Sequence, residues 1–195
     1  MTLPLFPLNT VLFPGCNLDL QLFEPRYLDM LSACLKRGEG FGVVTLIEGS
    51  EVGAAASAFS DVGCEALICD WRQQSNGLLG IRVQGGRRLR VQRSQVQRDQ
   101  LTLGEVSWLE ESADAALGEQ YQDLQHLLQA LVDHPLVATL EMTASVHSCG
   151  ALADRLAYLL PFENARKLSL LGCLDPRQRL RLLNAWLEAL QEDQE

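Results

Sequence analysis

The sequence predicts an α+β fold: a small, partly closed β barrel with one short helix, followed by an all-helical subdomain. Three observations carry this expectation. About seven strand-like segments, parted by turn signals, fill residues 1–110, and such spacing favours a barrel over a parallel sheet. A single helical pattern interrupts them, which argues against βαβ winding. After Glu110-Glu111-Ser112 the apolar spacing turns helical and stays so. The expected domains are residues 1–111, the barrel, and residues 112–195, the helical bundle.

Taken in order, Leu3-Pro4-Leu5-Phe6-Pro7-Leu8 reads as an extended edge segment, because two prolines argue against a central strand. Val11-Leu12-Phe13 reads as a short strand and Pro14-Gly15 as a turn. Residues 16–22 alternate, with Leu18, Leu20 and Leu22 separated by polar Asp19 and Gln21. The period then changes to Tyr27, Leu28, Leu31, Cys34 and Leu35, a helix from Pro25 to Arg37. Pro25 suits the first helical position, where the missing N–H has no helical partner, and Gly38 suits a left-handed close. Phe23 and Tyr27 flank this joint at a spacing that anchors the helix on the barrel. Glu24 favours the helix dipole, and Arg26 is expected to pair with an acid across the domain joint.

Residues 41–47 form a buried strand and 48–60 a Gly/Ala/Ser-rich loop. Residues 62–71 form a strand with a bulge at Gly63, and Asn76-Gly77 marks a hairpin. Residues 78–83 and 89–96 flank Gly85-Gly86, a second hairpin candidate, and 101–109 close the series. Beyond them, one long helix runs from Leu117 to Val132 and stops before His134-Pro135. Further helical stretches fall at 140–146, 151–160 and 164–171. Asp175-Pro176 caps and opens a last helix through Leu190, and a polar tail, 191–195, frays.

Composition bounds the function. The chain has 195 residues and a net charge of −9. Seven arginines and no acid lie between Arg72 and Arg98. A nucleic-acid binder shows a basic face on a basic domain, whereas this chain is acidic apart from that strip. No apolar run reaches the ~18 residues of a membrane span. The start carries no basic region of a secretory signal, and six widely spaced cysteines suit a reducing compartment. A cytoplasmic protein without a membrane partner is expected, as a monomer or weak dimer.

Catalytic patterns are missing. Phosphate-cradling loops, dinucleotide fingerprints, a nucleophile elbow and a zinc helix motif do not occur. Cys64 and Cys69, five apart on one strand, point to opposite faces, and all six cysteines are expected to be buried. His147 and Cys149 could be drawn as a base and a nucleophile, but residues two apart do not face each other. His134 reads as a helix C-terminal residue on the dipole. The expected catalytic, metal and cofactor sets are therefore none. The candidate surface is Arg87, Arg88 and Arg90, with Arg88, Arg90 and Gln92 sharing a strand face that is solvated or paired with acids of the helical half. Aromatic residues do not interleave with these arginines as on a base-stacking platform.

The ordered series Leu3-Pro4-Leu5-Phe6-Pro7-Leu8, Val11-Leu12-Phe13-Pro14-Gly15 and Phe23-Glu24-Pro25-Arg26-Tyr27 resembles the Lon protease N-terminal, substrate-binding domain family. The five residues from Phe23 to Tyr27 look especially like its stand-alone bacterial members. Phe41-Gly42-Val43-Val44, Glu51-Val52-Gly53, Val62-Gly63-Cys64 and Leu152-Ala153-Asp154-Arg155-Leu156 continue the similarity over nearly the full chain. The resemblance implies a PUA-like pseudo-barrel followed by helices. It also implies a non-catalytic module that recognises unfolded or degradation-marked polypeptide, as an adaptor or holdase. Full Lon proteases add an ATPase and a Ser–Lys protease domain, which this sequence does not contain, so neither activity is carried over. The alternative is PUA-like nucleic-acid binding through the strip from Arg72 to Arg98. Phe23, Glu24, Pro25, Arg26 and Tyr27 are read as a structural joint, not a site.

Overall fold

Six strands and a helix build the first part of the chain in the computed structural model, which describes residues 1–75 and 78–192. The strands are β1 (Thr2–Leu8), β2 (Asn17–Leu22), β3 (Phe41–Glu48), β4 (Ala58–Gln73), β5 (Leu79–Val96) and β6 (Thr102–Trp108). They form one mixed sheet in the order β2-β5-β4-β3-β1-β6, and a further β5–β6 ladder joins the end back to β5. Five strands thereby close into a ring, and β2 pairs with the first part of β5, residues 79–84, while β6 pairs with its last part, 89–96. The expected Asn76-Gly77 turn and the tail 193–195 lie outside the described residues.

The strand β1 corrects the edge assignment: it runs parallel to β3 and antiparallel to β6. Backbone direction explains how two prolines are tolerated. Met1 and Val106 exchange both N–H···O bonds, so the backbones of Met1, Leu3 and Leu5 face β6, and those of Pro4 and Phe6 face β3. Pro4 faces β3 one residue before that ladder begins at Leu5. Pro7 faces β6 beyond the point where that ladder ends at Leu5. Each missing donor falls where no ladder bond is needed. The β1–β3 pair is the sheet's parallel element, and its connection contains β2 and the helix α1 (Pro25–Arg37).

Two strand expectations merge and one dissolves. The predicted Gly85-Gly86 hairpin is absent, because β5 is one 18-residue strand. Gly85 is instead a close-approach glycine. Its N–H donates to the Cys16 carbonyl, its carbonyl accepts from Gly15 N–H, and a β-carbon there would collide with the Phe13 carbonyl. Residues 11–13 are not a strand but a buried loop against that same glycine, with Phe13 fully enclosed. The irregularity expected at Gly63 lies beside it on the β3 side, where the register shifts between Val44↔Gly63 and Leu46↔Phe59; on the β5 side β4 shifts again between Cys64 and Ala66 and between Ile68 and Asp70. Gly63 is small because a side chain would strike the Val43 carbonyl.

The helix α1 forms as its sequence requires. Pro25 occupies its first turn, and Gly38, at φ 65°, ends it. Glu39 N–H donates to Cys34 O and Gly38 N–H to Leu35 O, the paired bonds of a Schellman close. Its buried face, Tyr27, Met30, Leu31 and Cys34, joins Phe6 and Phe41 in the main core.

The chain divides into two compact units, Met1–Leu109 and Glu110–Glu195. In the second, Gln122–Val132 (α2), Pro135–Ala138 (α3), Cys149–Leu159 (α4), Asn164–Gly172 (α5) and Pro176–Glu192 (α6) are helical. Leu117 precedes α2, with a 3-10 turn at Glu119–Tyr121 between them. Residues 141–147 are irregular and not helical, since α3 has already ended and Glu141 takes a φ of 52°. His134 follows the C-cap of α2, its backbone N–H donating to Leu131 O, while its side chain serves the next helix, Nδ1 capping α3 by accepting from Leu136 N–H. Asp175 caps α6 by accepting from Arg177 and Gln178 N–H. Arg179, 1% exposed, ties this unit together: it meets Asp154 at 2.9 Å and Glu111 at 2.7 Å. Glu111 thus belongs with the helices.

Candidate functional site

The joint before α1 is built around a buried arginine. Glu24 is extended and ends the strand geometry at the helix N-cap. Arg26 is buried at 5% exposure, with its guanidinium 3.1 Å from the Glu24 carboxylate. It also donates to the Gln100 carbonyl at 2.9 Å. Glu24 in turn accepts from Gly53 N–H, and the Gln100 side chain accepts from Ala55 N–H. Three loops are therefore pinned to one arginine. The acid Arg26 takes is thus Glu24, two residues away, and not one across the domain joint. Tyr27 is 5% exposed, with its ring 4.0 Å from that of Phe6 in an edge-to-face contact. Phe23 is 50% exposed and does not anchor the helix as its spacing had promised: it precedes the first helical turn, where the chain is still extended.

The arginine strip is mostly engaged within its own unit. Arg82 grips Asp19 with two bonds of 2.7 and 2.9 Å. That hydrogen-bonded guanidinium holds the Asp19 carboxyl below the usual aspartate range. Arg87 bonds Glu65 at 3.0 Å and lies 3.7 Å over the Trp108 ring. Arg90 sits 3.6 Å from Asp61. These acids come from the strand unit and not from the helical half. Arg88 is only 1% exposed and is struck from the candidate surface. It lies opposite Cys64, itself fully enclosed, so the strand face it shares with exposed Arg90 is closed at that level.

The thiols and imidazoles are not brought together. Cys149 is buried and donates to the Ala116 carbonyl, while His147 is exposed. Burial, with the nearby Asp114 charge, pushes the Cys149 thiol up, and burial does the same to Cys34. Neither is poised as a thiolate nucleophile. Cys69 is exposed and Cys173 half-buried, against the expectation of general burial: Cys69 lies at the β4 register shift, where the strand's inward alternation is broken. Among the described residues no group of three or more His, Cys, Asp or Glu could hold a metal ion, and no helix is long and apolar enough to cross a membrane.

What remains is the apolar face of the sheet, which packs on the main core and runs out to an exposed end at Trp71. β2, β5 and β4 lie side by side, and directly paired residues point to one face. Leu20, Ile81 and Trp71 form one cross-strand row, and Leu18, Val83 and Ile68 form another. The middle residues are buried, Leu18, Leu20 and Ile68 are half-buried, and Trp71 is 57% exposed. Polar Asp19, Arg82 and Gln21 occupy the opposite face. Alternation at 18, 20 and 22 signals one apolar face, but it carries no sign of Trp71. Its place in the row depends on the bulge between Ile68 and Asp70, which shifts the strand's parity.

This α+β arrangement, a mixed six-stranded sheet plus helices, is that of Lon N-terminal domains. A crystal structure of a Lon N-terminal domain protein from Xanthomonas campestris is 36% identical, with a TM-score of 0.77 over 95% of this chain and 98% of that one. The N-terminal domain of the Mycobacterium avium complex Lon protease shares the fold at 18% identity, with a TM-score of 0.62 over 95% of this chain and 97% of that one. The family described as the ATP-dependent protease La (LON) substrate-binding domain matches residues 2–189, and the chain belongs to that family. A Lon protease from Roseiflexus castenholzii (strain DSM 13941 / HLO8) is 29% identical over 203 residues, 97% of this chain and 24% of its own length. The chain thus spans about a quarter of that relative.

Proposed function

We propose that this protein is a non-catalytic module that recognises unfolded or flexible polypeptide, serving as an adaptor or holdase in a reducing compartment. The observation that carries this reading is the match to a substrate-binding domain along residues 2–189. The half-open apolar rows ending at Leu20 and Trp71 supply the chemistry such a module needs, since unfolded chains offer the apolar side chains that folded ones hide. The two compact units are read as a strand domain and a helical domain, with the binding surface on the first. Nucleic-acid binding through the strip has less behind it, because Arg82 and Arg87 are held by carboxylates and Arg88 is buried.

Arrays of overlapping peptides from denatured globular proteins test the proposal. The folded chain should retain a subset rich in apolar residues and ignore acidic, polar ones. Uniform background across the array, with the protein folded by circular dichroism, would remove the reading. Single-stranded RNA at low salt should give no shift.

A further inference from the structure

We infer that β2 is an acceptor edge: an extended polypeptide segment of neutral or basic character, apolar at alternate positions, adds to it as a further strand. This deepens the reading of the chain as a polypeptide-recognition module and rests on it.

Among the described residues β2 is the strand with a single ladder, to β5, whereas β1, β3, β4, β5 and β6 each lie in two or more. Strand parity identifies which backbone groups face outward. Gly85 N–H donates to Cys16 O, and the register continues through Leu18↔Val83 and Leu20↔Ile81. Antiparallel pairs alternate, so Leu18, Leu20 and Leu22 bond β5, while Asp19 and Gln21 direct their N–H and C=O groups away from it. Neither has a backbone bond to another element among the described residues.

Natural sheets blunt such an edge with proline, lysine or a bulge. The strand Asn17–Leu22 contains no proline or lysine, and its register to β5 runs without a shift. The ladder it offers is complementary to one kind of partner, another extended backbone. A strand placed ~4.8 Å outside β2 would set alternate side chains beside half-buried Leu18 and Leu20, extending the rows that end in Ile68 and Trp71. Its other side chains would meet the polar face of Asp19 and Gln21.

Charge selects the occupant. A second copy of this chain could pair edge to edge, but each copy carries −9, and like charges slow and weaken association. Neutral or basic segments meet no such barrier. The Asp19 carboxylate, already bonded to Arg82, offers no strong pull of its own, so backbone pairing and the apolar rows carry the contact.

Fluorescein-labelled eight-residue peptides, alternating valine with threonine or lysine, serve as probes against the full chain. Gln21→Pro removes one outward N–H while leaving the bonds to β5 intact, and should weaken peptide binding at least tenfold with the fold retained. The unaltered protein gives a second arm. Backbone N-methylation of the peptide on one set of alternate residues should abolish binding, and on the other set should leave it within about threefold. Equal binding of the plain and both methylated peptides would overturn strand addition. So would a Gln21→Pro chain that binds normally, or one whose only change is loss of a dimer in sedimentation. If haem-free cytochrome c and every peptide fail to bind the unaltered chain, the polypeptide-recognition reading itself falls. If they bind but are indifferent to these changes, only the acceptor edge falls.

Discussion

Replacing Tyr27 with alanine isolates what holds α1 on the barrel. Tyr27 is 5% exposed, contacts Phe6 edge-to-face at 4.0 Å, and sits in the core with Met30, Leu31 and Phe41. An aromatic side chain buries roughly 150–250 Å², worth about 4–6 kcal/mol at ~25 cal/mol per Å². Part of that is retained by the alanine. Measured aromatic truncations fall at about 3–5 kcal/mol, so Tyr27→Ala should lose about 3 kcal/mol. With a urea slope of about 2–3 kcal/mol per molar, the unfolding midpoint of the strand unit drops by roughly 1–1.5 M. Phe23→Ala is the control. Phe23 is half exposed, and its removal should change stability by less than about 1 kcal/mol. Urea titrations followed by circular dichroism and hydrogen exchange of α1 measure both. An unchanged midpoint for Tyr27→Ala, accompanied by lost peptide binding, would refute the structural reading and make Tyr27 part of a binding surface.

Arg179→Met should destabilise the helical unit by about 3–5 kcal/mol, because it leaves buried Asp154 without its 2.9 Å cation; chemical denaturation of Arg179→Met and of Arg179→Met/Asp154→Leu checks this, the double variant recovering much of the loss. Gly85→Ala should cost about 2 kcal/mol or more, since the added β-carbon meets the Phe13 carbonyl; a neutral effect by thermal melting would restore the turn reading of Gly85-Gly86. Asp19 has its carboxyl lowered by Arg82, so the stability it contributes is fully present above the unfolded value of about 3.9 and is lost as pH falls through the lower folded value. Carbon-detected NMR titration should therefore place the Asp19 midpoint below that of an unpaired aspartate, and Arg82→Gln should return it upward.

Much of the fold could be read from residues that act locally. The period change at Leu22, Pro25 at the first turn and Gly38 at the close define α1 through steric rules that need no tertiary information. Asp175 announced α6 for the same reason. The misreadings arise where a local sign has two physical meanings. Proline excludes a central strand only if its missing N–H faces a ladder, and Pro4 and Pro7 each face a gap. Paired glycines mark either a turn or a close approach, and Gly85 marks the second. Strand parity placed Arg88 with Arg90, but could not reveal that only the first is covered. The surface was less legible than the fold: Trp71 joins Leu20 and Ile81 through ladder register and a bulge, which depend on partners distant in the chain.

Fluorescence anisotropy of labelled haem-free cytochrome c, a basic chain that is unfolded without its cofactor, tests polypeptide recognition most directly. Titration with the full protein at near-physiological salt should give saturable binding with a dissociation constant of about 1–100 μM, or roughly −8 to −5.5 kcal/mol. Unlabelled unfolded chain should compete for it, and folded, haem-loaded cytochrome c should not. Anisotropy that stays flat across the titration, or that rises equally for the folded and unfolded forms, would contradict the account.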